Sequence, residues 1–417
     1  MRYIGVDNAT FEAVAKGMLM GSMITLRLGR LEVDWGKNAF FRNHSPLFDT
    51  ADLAEAECFY ADDEVVVLPV YVRKLSRAIP RLELLGFSLD GCRTGYAEAL
   101  QHVPHYYPKV NIDFDAFRQA LCAVDLDRIR NDEYDDDFEL GEFAKYVLSD
   151  PEFKRVSAAL SCGVTRDDAT FFENLDPYLI LRLLGENPAN LERDLVWGIH
   201  DVIAGGWVEN DEVFEPLAGE SKFLIVTEGS SDSNILKTAL PLVAPDVADF
   251  FNFVDMKDNY PFAGTGNLVN FCKGLAAINA QNKIVVILDN DTAGQEALQS
   301  LQSLKLPRNM RTVSLPYLHA FSSFPTLGPS GEASEDVNGR AVAIECFLDL
   351  TFGPREPRAI RWTGFNPRRQ AYQGELVAKE RYAAAFFENV AAADYDLSKL
   401  RLLWEHILQA CAAEAIP

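Results

Sequence analysis

The chain has 417 residues, 48% of them apolar and 24% charged, and a formal net charge of −23. That length exceeds one ordinary core and predicts two or three globular domains. No apolar run reaches the roughly 18 residues of a membrane span, the N-terminus lacks the basic-then-apolar order of a secretory leader, and the seven scattered cysteines form no CxxC pair, so a cytoplasmic chain without zinc or disulfide frame is expected.

Residues 1–19 are expected to be an extension. Over 23–38, Leu26, Leu28, Leu31, Val33 and Trp35 alternate with Arg27, Arg30, Glu32 and Asp34, the period of a half-buried strand with a turn near Gly29. A further strand is expected at 64–72. From about 78 to 207 the period becomes helical, with amphipathic candidates at 114–124, 138–148, 170–184 and 191–203, and the acid-dense stretch 125–142 is expected to be exposed. No period of 20–50 residues repeats.

After Gly205-Gly206 and Pro216 the pattern changes. Strand-like FLIVTE (223–228) precedes a helix at about 231–242, then FFNFVDM (250–256), a helix at about 268–280 and the apolar KIVVILD (283–289). A helix at about 294–304 and the strand MRTVSLP (310–316) complete the run. Short apolar strands alternating with helices predict βαβ units and a parallel sheet covered on both faces. Residues 321–338 read as a Pro/Gly/Ser-rich loop, and 341–350 returns to strand or helix before a mixed tail.

The chemistry gathers where a parallel sheet places it, at the carboxyl ends of strands. Glu228 ends the first strand, and Asp289 and Asp291 end the third, two residues apart and so on one side of an extended segment. Asp232 follows Glu228 by four residues, and Glu296 follows Asp291 by five, in the first turn of the next helix. Carboxylates converging on one rim repel unless a divalent cation lies among them, and oxygen-only ligands favour Mg²⁺ or Mn²⁺.

FLIVTEG (223–229) followed by VVILDNDTAG (285–294) resembles the Toprim signature, and the added Asp232 and Glu296 resemble the OLD-family nuclease branch. The resemblance implies an α/β Toprim domain over 220–350, a parallel four-stranded sheet with flanking helices, followed by a basic then helical extension over 351–417. It implies metal-dependent cleavage of DNA or RNA with Glu228, Asp289 and Asp291 as catalytic ligands, and a division of the acids, Asp232 and Glu296 among them, between two metal ions. It also assigns Glu345, in AVAIECF, as a later metal acid and Lys379, in QGELVAKE, as a catalytic lysine, although Ala343 stands where OLD enzymes often carry serine. Residues 20–215, through MGSMITLRLGRLEVDWGKN and RLELLGFSLDG, resemble the mixed α+β, mainly helical domain found ahead of HEPN or Toprim effectors in bacterial conflict systems, which implies a role in antiphage defence.

Rival readings remain. Asp289 and Asp291 also fit the paired aspartates of the haloacid-dehalogenase-type phosphatase DxDxT, with Thr292 one place before that motif's threonine, and Arg193 with His200 fits the Arg-x4–6-His of HEPN ribonucleases if both lie on a helix. No GxxxxGK[ST] is present, so an ATPase would have to come from a partner. Residues 1–220 hold 21 Lys+Arg and 40 Asp+Glu, a net of −19, against 18 and 22 in 221–417, a net of −4. The acidic half suits a protein partner, such as an ATPase or another defence-system component, and the alternative to an autonomous nuclease is a subunit that such a partner switches on. Within 355–381 seven basic residues face three acids. Arg355, Arg358, Arg361, Arg368, Arg369 and Arg381 are the candidate nucleic-acid contacts.

Overall fold

In a computed structural model the chain divides into two compact units, 1–217 and 218–417. The structure describes residues 26–29, 31–34, 42–59, 65–102, 112–128, 151, 171–172, 175–200, 203, 213–254, 264–304, 306–329, 331–352 and 357–413. The expected helix at 138–148, Arg355 and the extension 1–19 lie outside them.

The strands of the first unit are β1 (Leu26–Leu28), β2 (Leu31–Asp34), β3 (Leu53–Phe59), β4 (Val65–Lys74) and β5 (Asp194–Gly198), paired antiparallel in the order β2-β1-β5-β4-β3. The β1–β2 turn passes through Gly29 at φ +56°, a conformation that a Cβ disfavours. Leu26, Leu28, Leu31 and Val33 are buried as their alternation predicts. Arg27 and Glu32, expected on a solvent face, are buried as well; they stand opposite one another across the hairpin and form an ion pair there. Burial of these charges is tolerable because they are paired.

Helices α1 (Leu75–Leu84), α2 (Leu89–His102), α3 (Phe114–Cys122) and α4 (Pro177–Leu184) share one core with Leu26, Leu28, Leu195 and Trp197. Asp176 caps α4 by accepting the Tyr178 amide at 2.9 Å, with Pro177 at the first helical position. The helix expected at 191–203 is instead β5, the central strand between β1 and β4. Leu195 and Trp197 enter the helix-covered core while Val196 joins Ala54, Ala56, Leu68, Val70 and Val72 in a second cluster, a period of two that the wider helical window concealed. Arg193 and His200 therefore flank a strand, which removes the helix that the HEPN reading requires, and Arg193 pairs with Asp127 at 2.5 Å.

Trp197 is the keystone of this core. Its ring stacks on Tyr71 at 5.4 Å and on Phe48 at 5.9 Å, and meets His44 edge-on at 5.8 Å. Its buried Nε1 has no hydrogen-bond partner among the described residues. Trp197→Ala is expected to destabilise the unit by about 3–5 kcal/mol, and Trp197→Phe, which loses no hydrogen bond, by clearly less. Urea midpoints of the two variants check the difference.

The second unit opens with β6 (Phe223–Val226), α5 (Ser230–Val243), β7 (Phe251–Phe253), α6 (Thr265–Ala277), β8 (Lys283–Leu288), β9 (Asn290–Asp291), α7 (Thr292–Gln302) and β10 (Met310–Ser314). It continues through β11 (Phe324–Gly328), β12 (Gly331–Glu335), β13 (Ala341–Val342), β14 (Ile360–Asn366), β15 (Ala371–Leu376), α8 (Lys379–Asn389) and α9 (Ser398–Ala412). Strands β10-β8-β6-β7 form a parallel four-stranded sheet in that order. Five of six residues in β8 are buried, as a strand covered on both faces requires.

Helices α6 and α7 pack against one another over a core of Val226, Leu268, Cys272, Val286, Leu288 and Leu301. Helix α9 packs against α5 and β10, seating Trp404 edge-on to Phe251 at 5.2 Å. From β6 the chain steps to β7 on one side, then crosses back to β8 on the other. The order reverses between β6 and β8, and the crevice there is where such sheets bind ligands.

The stretch 321–338, expected to be a loop, forms the β11–β12 hairpin, in register from Phe324↔Glu335 to Gly328↔Gly331. Four of the five residues of β12 are exposed, so no hydrophobic alternation marked it as a strand. The hairpin belongs to a second sheet of order β12-β11-β14-β15, while β13 pairs with β9. Among the described residues no helix is long and apolar enough to cross a membrane.

Candidate metal centre

Glu228 lies two residues beyond β6, in the turn that enters α5. The carboxylate of Asp232 accepts the Gly229 amide at 3.0 Å, closing that turn. One Glu228 oxygen, Oε1, is buried with no hydrogen-bond partner among the described residues. An unsatisfied buried carboxylate oxygen is costly, and its persistence asks for a proton or a cation.

Asp289 follows β8 directly, and Asn290 and Asp291 pair with Val342 and Ala341 through the β9–β13 bridge. Asp291 caps α7, its Oδ1 accepting the Gly294 amide at 2.7 Å. Gly294 explains the glycine of the motif: a Cβ there would stand 2.0 Å from the Asp289 carbonyl oxygen, so any side chain would displace the backbone that carries Asp289.

The acids perturb one another. Burial pushes the Glu228 carboxyl up to about 8, with Asp291 and Asp232 adding to the rise. Burial and the nearby Glu345 push Asp232 up to about 7. Asp289 is raised well above the usual range by burial and by Asp232, Asp291, Glu228 and Glu345. Glu345, on the short helical turn after β13, is 6% exposed and raised by burial. Lys379, the first residue of α8, would be lowered by its burial, but Glu345, Glu375, Glu380 and Asp289 outweigh that and hold its ammonium charged. It is introduced by Ala378 at φ +58°, a conformation costing a non-glycine residue about 1 kcal/mol.

These residues fit a hard divalent cation by their chemistry: every acid offers carboxylate oxygen, one buried oxygen is unpaired, and four of the acids together raise the proton affinity of Asp289. Among the described residues no three His, Cys, Asp or Glu side chains are drawn together as a finished metal cage. They share an electrostatic neighbourhood, not a common ligand point.

Glu296 is oriented otherwise. Its Oε1 accepts from Asn366 at 2.9 Å and its Oε2 lies 4.0 Å from Arg368, so it faces the β14–β15 hairpin. Of the basic strip, Arg358, Arg361, Arg368, Arg369 and Arg381 are exposed. Residues that the motif did not reveal complete the surroundings. Gln373 on β15 donates through Nε2 to Asp291 and accepts from the Thr292 amide at 3.1 Å and from its hydroxyl. Gln295 donates to the buried Asn290 at 3.2 Å. No sequence signal pointed to Gln373, an uncharged side chain 82 positions beyond Asp291.

No curated protein and no solved structure matches the chain. Residues 20–222, ending one residue before β6, match the family described as HEPN/Toprim N-terminal domain 1, to which the first unit is thus similar.

Proposed function

We propose that the second unit is a Toprim-type nuclease site that hydrolyses phosphodiester bonds of DNA or RNA with Mg²⁺ or Mn²⁺. The observation that carries the reading is the unpaired buried oxygen of Glu228 at a rim crowded by Asp232, Asp289, Asp291 and Glu345. The similarity of residues 20–222 to a domain named for HEPN and Toprim partners supports a nuclease-associated role. The resemblance of that region to domains of bacterial conflict systems is the basis for inferring an effector of antiphage defence.

Glu228, Asp289 and Asp291 would hold one ion, and Asp232 with Glu345 a second. Glu296 is left out of the set because its side chain is turned to the β14–β15 hairpin, where its Oε1 accepts from Asn366. A divalent cation supplies Lewis acidity toward the phosphoryl group and lowers the pKa of the attacking water. The chain's own share is orientation and charge. Asp291 is fixed by the Gly294 amide and by Gln373, and the Lys379 ammonium stands ready for negative charge that develops on the phosphoryl oxygens.

Incubating the full chain with plasmid, single-stranded DNA and tRNA in Mg²⁺, Mn²⁺ or chelator tests the reading. Cation-dependent cleavage of any of these is expected. A chain inert alone but active with an ATPase partner would favour the second reading, a partner-activated subunit, which the −19 charge of residues 1–220 supports. Gln373→Ala removes the support of Asp291 without touching an acid and is expected to lower cleavage by about 10–100-fold. An unchanged rate would mean that Gln373 does not orient Asp291 for the reaction.

A further inference from the structure

The β14–β15 ribbon carries surface that the acid rim does not use. Phe365 and Tyr372 stand directly opposite one another in the register, ring centroids 5.2 Å apart and edge to face, yet they are 51% and 43% exposed. Trp362 extends the row, 6.2 Å from Tyr372. A bulge between Trp362 and Gly364 brings Trp362 and Phe365, three residues apart, to one face.

The inner end of the row is fixed. The Trp362 Nε1 donates to Glu335 at 3.2 Å, and the Arg340 guanidinium lies 4.2 Å over the indole while pairing with Glu335 at 3.1 Å. The outer end is open and positive, because Arg368 and Arg369 are exposed in the turn that joins the strands. The other face of the ribbon is the one anchored to the site, through Gln373 on Asp291 and Asn366 on Glu296. Between ribbon and helix α7 lies an open cleft of about 490 Å³ lined by Thr292, Glu296, Phe365, Asn366, Arg368 and Gln373.

We propose that this ribbon is a platform for single-stranded nucleic acid. Phe365 and Tyr372 stack on successive bases, and Arg368 and Arg369 take the adjoining phosphates. The combination of exposed rings with guanidinium groups at one end matches a strand whose bases are uncovered. In a duplex the bases are stacked on one another and closed to side-chain rings. Phe365 and Arg368 also line the cleft that Gln373 borders, so a strand held on the ribbon runs along the edge of that cleft. The inference rests on the nucleic-acid reading of the acid rim for its choice of partner.

The test uses the full-length chain in chelator, so that nothing is cleaved, with fluorescein-labelled oligo-dT, oligo-U and a hairpin duplex read by anisotropy. Wild type is expected to favour the single strands. Phe365→Ala/Tyr372→Ala should weaken that binding by about 30-fold or more, while Phe365→Tyr and Tyr372→Phe, which keep the rings, should bind like wild type. Arg368→Ala/Arg369→Ala should flatten the plot of log affinity against log salt by about 1.4. Unchanged affinity in the double alanine variant, or a preference for duplex, overturns the proposal. So does a wild-type dimer that the double variant turns into a monomer with its nucleic-acid affinity intact, since the strip would then be a protein interface. Cleavage by wild type with ring-independent binding sinks the ribbon alone. Ring-dependent binding without cleavage in any divalent cation sinks the reading of an autonomous nuclease and leaves the ribbon standing.

Discussion

Replacing Asp289 with asparagine is expected to reduce Mg²⁺-dependent cleavage by about a thousandfold, the loss of several kcal/mol of electrostatic stabilisation, without lowering the stability of the metal-free protein. The two halves of this expectation have one cause. Burial, then Asp232, Asp291, Glu228 and Glu345, make the Asp289 anion unfavourable in the fold. Its folded pKa is raised, so the folded state binds the proton more tightly than the unfolded chain does. Stability is then greatest below the ordinary carboxylate range and falls as the pH climbs toward the folded value. Asparagine has no proton to lose at that position, so the variant should escape this fall. Cleavage assays paired with thermal melts in chelator at pH 6 and pH 9 check both halves. A variant that melts well below wild type at pH 6 would point to a structural role, and one that cleaves at the wild-type rate would falsify the metal site.

The wild-type protein itself should lose thermal stability in chelator as the pH rises, and a divalent cation should restore it most at the alkaline end. Burial and neighbouring acids hold Glu228 near 8 and Asp232 near 7, against ordinary values of 4.5 and 3.8. The sign is the same as for Asp289: the penalty begins in the ordinary carboxylate range and is complete once the pH has passed about 8. A cation binding only the folded chain adds about 2.7 kcal/mol at a hundredfold excess over its Kd, which for a unit of this size is a rise of roughly 5–10 °C in Tm. Differential scanning fluorimetry with Mg²⁺, Mn²⁺ and chelator reads the shift directly. Glu228→Gln should show a flatter pH profile and a smaller response to cation. Identical melting curves with and without cation at both pH values would remove the proposed centre.

How much of this was legible in the sequence follows from how local each feature is. Strands β6 and β8 are short apolar runs because both faces of a parallel sheet are covered, and the acids that follow them stand at strand ends by chain order alone. The reason for Gly294 was not visible, since it lies in the distance to the Asp289 carbonyl. Leu191, Leu195 and Ile199 recur every four residues and so predict a helix where β5 lies, and only its place between β1 and β4 shows that the working period is two. The exposed strand β12 and the amide of Gln373 carry no pattern in the chain; tertiary pairing gives them their meaning.

The pairing of β9 with β13 has a consequence for biosynthesis. Strands β6, β7, β8 and β10 are complete once residue 314 has left the ribosome, and a parallel core can collapse from them. Asp291 does not gain its strand partner until Ala341 emerges, nor its amide clamp until Gln373 follows. At a synthesis rate of about 5–20 residues per second the nascent chain carries a folded sheet with an unfinished rim for several seconds. The last segments to dock are therefore those that hold Asp291 in place.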